Sequence, residues 1–330
     1  MFSLLGPDQI INHLPGERAV VDKGPLTRNL ERHAAADPGR RAALDGFYPE
    51  TYCLADPEDR ERFFARVPEE DDPERLWILK PDRGSEGRGI RVLWQLDLLR
   101  RWHESSGPKP WDTEGDAVIQ RYVANPLLVD GRKSALRVFV LVASVEPLLV
   151  LVYRDGFVRI NSVPYRLDDL DPVVHLTNTR QQRDHPDFDP SSQVWTFPQL
   201  QAHLAPQLGT EQPDFFEHRF FPAVHAAVSF VFRAARDSLR VPASRGHCFG
   251  LYGVDLLLDD ALRPWVLEVQ VNPGLKHRDP AKARIVPPLL VETVRVAREV
   301  RDRSRSGRSL AQLDGLDRYR WAVNEAAGAS

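Results

Sequence analysis

A chain of 330 residues, 42% hydrophobic and 28% charged, is long enough for one large domain or two to three subdomains with their own cores. Its 44 basic residues meet 47 acidic ones for a net charge of -3, which argues against a protein built to coat nucleic acid. Two cysteines, Cys53 and Cys248, have no spacing that suggests a zinc site or a disulfide framework, and a reducing cytoplasm is the expected setting. The opening MFSLLGPDQIINHLPGE lacks a basic, then apolar, leader, so no signal peptide is expected. The greasiest run, Leu136 to Tyr153, contains Arg137, Glu146 and Pro147 and reads as two core strands around a turn rather than a membrane span.

The basic residues are overwhelmingly arginine. The six lysines, Lys23, Lys80, Lys109, Lys133, Lys276 and Lys282, therefore stand out as places where a compact ammonium is wanted.

Residues 1–72 read as an N-terminal domain. Asn12 to Gly16 forms a turn, Lys23 taken alone is a surface residue, and Leu26–His33 and Asp59–Val67 have helical spacing. The acidic run Glu69 to Pro73 marks the boundary. Residues 73–124 form a second unit. Trp77 to Gln95, WILKPDRGSEGRGIRVLWQ, is a strand ending at Lys80, a loop with Gly84, Gly87 and Gly89, and another strand. The glycines let backbone approach an anion while Lys80, Arg83 and Arg88 bring positive charge, so phosphate is the natural guest. It is neither a Walker loop, because no GK[ST] follows, nor a Rossmann fingerprint, because a strand follows rather than a helix. Ala117 to Val123 is a short buried strand broken by Asn125-Pro126.

Residues 125–300 form a third unit. Arg132 and Lys133 open a strand pair, Leu136–Ser144 and Leu148–Tyr153, and Asp155-Gly156 reads as a further hairpin turn before Phe157 to Ile160. Lys133, Arg137 and Arg159 lie on or beside apolar strands, where burial demands an anionic partner. Ion pairing with Asp255 or Glu268 would account for them without a ligand. His175 beside Val173-Val174 reads as a hydrogen-bonded structural residue, and residues 180–215 as a long exposed loop. Phe221, Val224, Val228, Val231, Phe232 and Ala235 give a helix over Phe220–Leu239 its inner stripe.

Tyr252 to Pro273, YGVDLLLDDALRPWVLEVQVNP, is a β-hairpin turning near Ala261-Leu262. Asp255 and Glu268 break its apolar pattern and fall roughly opposite one another, and Gln270 and Asn272 follow Glu268 at period two. Oxygen donors without Cys or His suit a hard cation such as Mg²⁺. Pairing of the two carboxylates with arginines is the alternative. Pro287–Arg303 has helical spacing, and residues 301–330 read as a charged tail.

In order, WILKPDRGSEGRGI, IQRYVANPLLVDGRKSALRVFVLV, DGFVRI, HLTN and YGVDLLLDDALRPWVLEVQVNPGL resemble the tubulin-tyrosine ligase-like family of the ATP-grasp superfamily, as do the earlier INHLPG, LTRNLERH and YPETYCL. The resemblance implies an α+β ATP-grasp fold, with two subdomains gripping ATP and a small N-terminal domain alongside. It also implies an ATP- and Mg²⁺-dependent ligase joining an amino acid to a peptide or protein carboxylate through an acyl phosphate. Neither nucleic acid nor membrane is expected as a partner.

By position, the resemblance assigns Lys80, Lys133 and Lys23 to nucleotide phosphates, with Gly87, Arg88 and Gly89 in the phosphate loop. Gln120, Arg121 and Val123 match the hinge beside adenine, and Thr177 and Asn178 lie near the nucleotide. Arg137 and Arg159 match arginines at the reaction centre, while Asp255, Glu268 and Gln270 match the metal site. Two departures stand out. The family's Lys-Phe-Asp-Leu-Arg is here Lys133-Ser134-Ala135-Leu136-Arg137, and its Glu-x-Asn is Glu268-Val269-Gln270. They leave room for a non-catalytic nucleotide binder, or for a ligase acting on a small metabolite or biosynthetic peptide.

Overall fold

The computed structural model describes residues 6, 8–67, 75–84, 86–105, 109, 111, 115–208, 214–241, 246–277 and 279–328. The fold is α+β, as expected, and its strands fall into two sheets. The smaller runs β2-β5-β3-β4, from β2 (Thr51–Cys53), β3 (Trp77–Pro81), β4 (Arg91–Leu93) and β5 (Ala117–Arg121), all antiparallel. The larger runs β1-β10-β7-β8-β12, from β1 (Ile10–Asn12), β7 (Arg132–Ser144), β8 (Leu149–Ile160), β10 (His247–Leu258) and β12 (Tyr319–Asn324). Three shorter strands attach to it: β6 (Leu128–Val129) to β7, β9 (Val194–Thr196) to β8, and β11 (Pro264–Gln270) to β10. The stretch expected as a separate N-terminal domain thus lends β1 to the large sheet and β2 to the small one. The acidic run Glu69 to Pro73 lies outside the described residues.

Period-two alternation explains how the large sheet is buried on both faces. Leu136, Val138, Val140 and Val142 of β7 face a core shared with the helices Lys23–Ala35 and Phe221–Ala234. Phe139, Leu141 and Ala143 face Ile285, Leu289, Val296 and Val300 of the helix Pro280–Arg305. That helix covers only the later half of β7. Lys133, Ala135 and Arg137, on the same face but upstream, are left to line a cleft, and this fixes where polar side chains can gather.

Four expectations are corrected. Asp155-Gly156 is no hairpin turn: β8 runs through it, with a shift of register against β7. The Asp155 carboxylate is met by Arg318 at 2.8 Å and Arg284 at 3.3 Å, and a Cβ on Gly156 would stand 2.1 Å from the Arg137 carbonyl oxygen. Both reasons are remote in sequence. Residues 180–215 are not a long loop either, because β9 pairs with β8 and the helix Phe197–Leu208 buries Phe197, Leu200 and Leu204. The helix expected from Pro287 begins at Pro280, where the Asp279 carboxylate accepts the Lys282 N–H at 2.9 Å. Finally, the charged run after residue 300 does not trail away: it returns as β12 against β8, with Tyr319 fully buried.

Glu292 secures that return. Its buried carboxylate accepts the backbone N–H groups of Asp317, Arg318 and Tyr319 at 2.7–3.1 Å. Glu292→Ala strands these donors and is expected to cost about 2–4 kcal/mol, measured by chemical denaturation, with β12 amides losing exchange protection first. Among the described residues no helix is long and apolar enough to cross a membrane.

Candidate active site

The small sheet turns Ile78, Lys80 and Gln120 toward the large sheet, and the N-terminal part of β7 faces them. Between them lies a pocket. Its apolar lining includes Ile78, Ile90, Tyr122, Val123, Leu176, Leu257 and Leu267; its polar lining includes Lys80, Gln120, Lys133, Arg159, Thr177, Asn178, Asp255 and Glu268. Arg159, Asn178 and Glu268 also line a second, charged cleft that adds Lys23, Asp82, Arg83, Arg137, Gln270 and Lys282. The two adjoin at those three residues.

Lys80 and Lys133 are both buried, and neither meets a carboxylate among the described residues. The Lys80 ammonium donates to Gln120 Oε1 at 2.6 Å, and Gln120 donates to Thr51 Oγ1 at 2.7 Å. The Lys133 ammonium donates to the Tyr122 hydroxyl at 2.8 Å and sits over the Tyr122 ring, 4.5 Å from its centre. Burial pushes Lys80 down to about 8, aided by the Lys23 charge and opposed by Glu268. Burial and the charge of Lys80 push Lys133 down to about 7. A buried ammonium with only neutral acceptors is costly, and an anion would be the complementary partner.

The carboxylates are arranged differently. Asp255 and Glu268 lie directly opposite in the β10–β11 ladder, as their spacing predicts. Asp255 receives Arg137 through Nε at 2.5 Å and Nη2 at 2.9 Å, and Arg159 Nη2 at 2.9 Å. Burial alone would raise its carboxyl, but the two guanidinium groups outweigh this and hold it well below the usual range. The arginine-pairing alternative therefore holds for Asp255, and it accounts for Arg137 and Arg159 but not for Lys80 or Lys133. Glu268 meets Lys23 at 3.5 Å. Lys23, expected on the surface when read alone, is buried at the start of its helix.

Gln270 reaches back between the carboxylates. Its amide N–H₂ donates to Glu268 and to Asp255 Oδ2 at 3.3 Å, and its Oε1 accepts from Arg137 Nη2 at 2.9 Å. Two opposed carboxylates and an amide oxygen suit a hard cation in kind. As arranged, the Asp255 oxygens are engaged by guanidinium groups, and no group of three His, Cys, Asp or Glu capable of holding a metal occurs among the described residues.

The glycine loop borders the charged cleft through Gly84 and Glu86. Gly87 and Gly89 have φ of +75° and +69°, and a Cβ on Gly87 would stand 3.0 Å from Asn178 Oδ1. Glu86 carries Arg88 at 3.2 Å and reaches Arg180 at 3.1 Å, tying the loop to the residues after Asn178. Gly87→Ala combines left-handed strain with displacement of Asn178, and is expected to weaken nucleotide binding by about 1–2 kcal/mol in titration calorimetry. Arg121 stacks its guanidinium over Trp77 at 5.5 Å, at the pocket edge.

Sequence reasoning passed over Tyr122, Glu86 and Arg180. Tyr122 stood between two residues assigned to the hinge, and an aromatic hydroxyl two residues from a buried Gln was its available signal. His175 is structural, as expected: Nδ1 lies 2.7 Å from the Tyr122 hydroxyl and Nε2 lies 2.6 Å from the Asp169 carbonyl oxygen.

The Tubulin-tyrosine ligase family matches residues 3–306. A "probable tubulin polyglutamylase" of Rattus norvegicus is 31% identical over 322 residues, covering 87% of this chain and 67% of the relative. One of Caenorhabditis elegans is 30% identical over 289 residues, covering 81% and 62%. A "tubulin monoglycylase" of Mus musculus is 31% identical over 237 residues, covering 69% of this chain and 25% of the relative. The chain thus spans about two thirds of the polyglutamylases it resembles. A match over nearly the whole chain shows that it belongs to the tubulin-tyrosine ligase family, whose members are ATP-dependent ligases.

Proposed function

We propose that this chain joins an amino acid to a carboxylate of a peptide or protein at the expense of ATP, with Mg²⁺, in the cytoplasm. The observation that carries this reading is the pair of buried lysines, without a carboxylate partner among the described residues, on one apolar pocket that adjoins a charged cleft. The apolar part suits a purine beside Gln120, Arg121 and Val123, and Lys80, Lys133 and the glycine loop suit its phosphates.

In this reading an acceptor carboxylate oxygen attacks the γ-phosphorus, the bond to the bridging oxygen breaks and ADP leaves. The donor amine then attacks the acyl carbon, loses a proton, and phosphate departs. Phosphoryl transfer is chiefly positioning and charge neutralisation, which Arg137 and Arg159 supply beside the reacting anions. Lys23 and Asn178 line the charged cleft, and Thr177 lines the adjoining pocket. Asp255 and Glu268, with Gln270, would hold the Mg²⁺, whose contribution when bound is to neutralise polyphosphate charge.

Acceptor and donor are read from a mixture. Candidate peptides and amino acids are incubated with ATP and Mg²⁺ and weighed by mass spectrometry. A mass increment on one peptide that requires ATP is the expected result. A chain that shows no nucleotide-dependent thermal shift sinks the proposal. The sealing of Asp255 and the apolar Ala135 favour a second reading, a non-catalytic nucleotide binder, which a thermal shift without any product would support.

A further inference from the structure

The charges around Asp255 show which guest the cleft admits first. Asp255 and Glu268 contribute two negative charges, while Arg137, Arg159 and Lys23, all within ion-pair distance of them, contribute three positive ones. Without a ligand this array has an excess of cation, so it attracts an anion and repels a divalent metal. Gln270 closes it. The amide orientation is fixed by its neighbours, because exchanging oxygen and nitrogen would turn N–H₂ against the Arg137 guanidinium and oxygen against two carboxylates.

Side-chain length makes these contacts possible. Asparagine would draw the amide back by about one C–C bond, roughly 1.5 Å, which carries the 2.9 Å contact to Arg137 beyond hydrogen-bonding range.

We propose that Gln270 is a positioning residue that latches Asp255 and Glu268 to Arg137 in the empty cleft, making divalent-cation binding conditional on an anionic ligand that first draws Arg137 and Arg159 away. This deepens the nucleotide reading and rests on it. An anion arriving between Lys80, Lys133 and the arginines reverses the excess charge. The guanidinium groups then have a better partner than Asp255, and the freed carboxylates face a site that now favours a cation.

The probe is Mn²⁺, followed through the electron paramagnetic resonance of the free ion, with the full chain, Gln270→Asn and Gln270→Ala. Each is titrated alone and with a non-hydrolysable ATP analogue. The native chain without nucleotide is expected to bind Mn²⁺ about tenfold more weakly than Gln270→Asn, the worth of one net hydrogen bond, and to converge with it once the analogue is present. Gln270→Ala gives the same reading if the Asn variant does not fold. Equal Mn²⁺ affinity of native chain and variants without nucleotide overturns the latch, as does native affinity that the analogue leaves unchanged. Calorimetry of the analogue alone scores the nucleotide reading separately, because the nucleotide-free Mn²⁺ titrations do not depend on it.

Discussion

Lys133→Met is expected to bind ATP about 30–150-fold more weakly than the native chain, since a charge-assisted hydrogen bond in a dry pocket is worth about 2–3 kcal/mol. The fold should survive, because methionine matches the lysine stem and, among the described residues, the hydrogen-bond partner it abandons is the Tyr122 hydroxyl, which His175 still engages. Protons sharpen the test. Lys80 and Lys133 titrate near 8 and 7 in the folded chain, mainly through burial, against an ordinary value of 10.5. The unfolded chain therefore holds more protons between about pH 7 and 10.5, so the stability of the nucleotide-free protein rises with pH across that window and these lysines are most costly below it. A bound polyphosphate restores the charged forms. Binding at pH 8 should take up protons, seen as a dependence of calorimetric heat on buffer ionisation, and affinity should fall as pH rises further. Lys133→Met should remove its share of that uptake; uptake equal to the native value would show that Lys133 does not meet the phosphates.

The parts of this site legible in the sequence are those where a charge interrupts a greasy strand. Asp255 and Glu268 fall roughly opposite each other on spacing alone, but the ladder pairs them through a one-residue shift of register between Asp255 and Leu256, because the register of Leu256 with Val266, continued, would set Asp255 against Leu267. Lys80 and the glycines were legible because a strand-loop-strand rich in glycine and cation suits few guests. The errors share one cause, which is that local pattern hides remote partners. Asp-Gly is a strong turn signal until Arg284 and Arg318 neutralise the Asp155 carboxylate within a strand. Likewise, a charged tail looks solvated until Glu292 collects three of its N–H groups. Three-residue strands such as β1 and β2 stayed hidden for a similar reason: they are too short to announce themselves before the sheets they join are known. The closing of Asp255 by two arginines was foreseen only as an alternative, since period two places Arg137 and Asp255 on one face of a sheet but does not say what stands between them.

Asp255→Ala carries the largest expected loss of stability. It leaves Arg137 and Arg159 without the carboxylate that both share, and removing one partner from a buried ionic cluster costs about 3–5 kcal/mol. For a chain of this size the unfolding midpoint should fall by about 4–7 °C. Asp255→Asn keeps the shape and one acceptor oxygen and should lie between native and Ala, and pairing each with Arg137→Met should show non-additivity of about 1–3 kcal/mol. The pH dependence has a definite sign. The native carboxyl is held below its unfolded value of 3.8, so its contribution is complete above that pH and is lost as pH falls toward the folded value. Native protein should therefore lose more stability on acidification than Asp255→Asn, bringing their denaturation curves together in acid. A nucleotide titration of Asp255→Asn then separates framework from function. If the residue only clamps arginines, the variant should melt early yet bind ATP and Mn²⁺ together as the native chain does. If it also meets the metal, metal affinity in the ternary complex should fall about tenfold or more while affinity for ATP alone changes little, as expected when one carboxylate leaves an all-oxygen site.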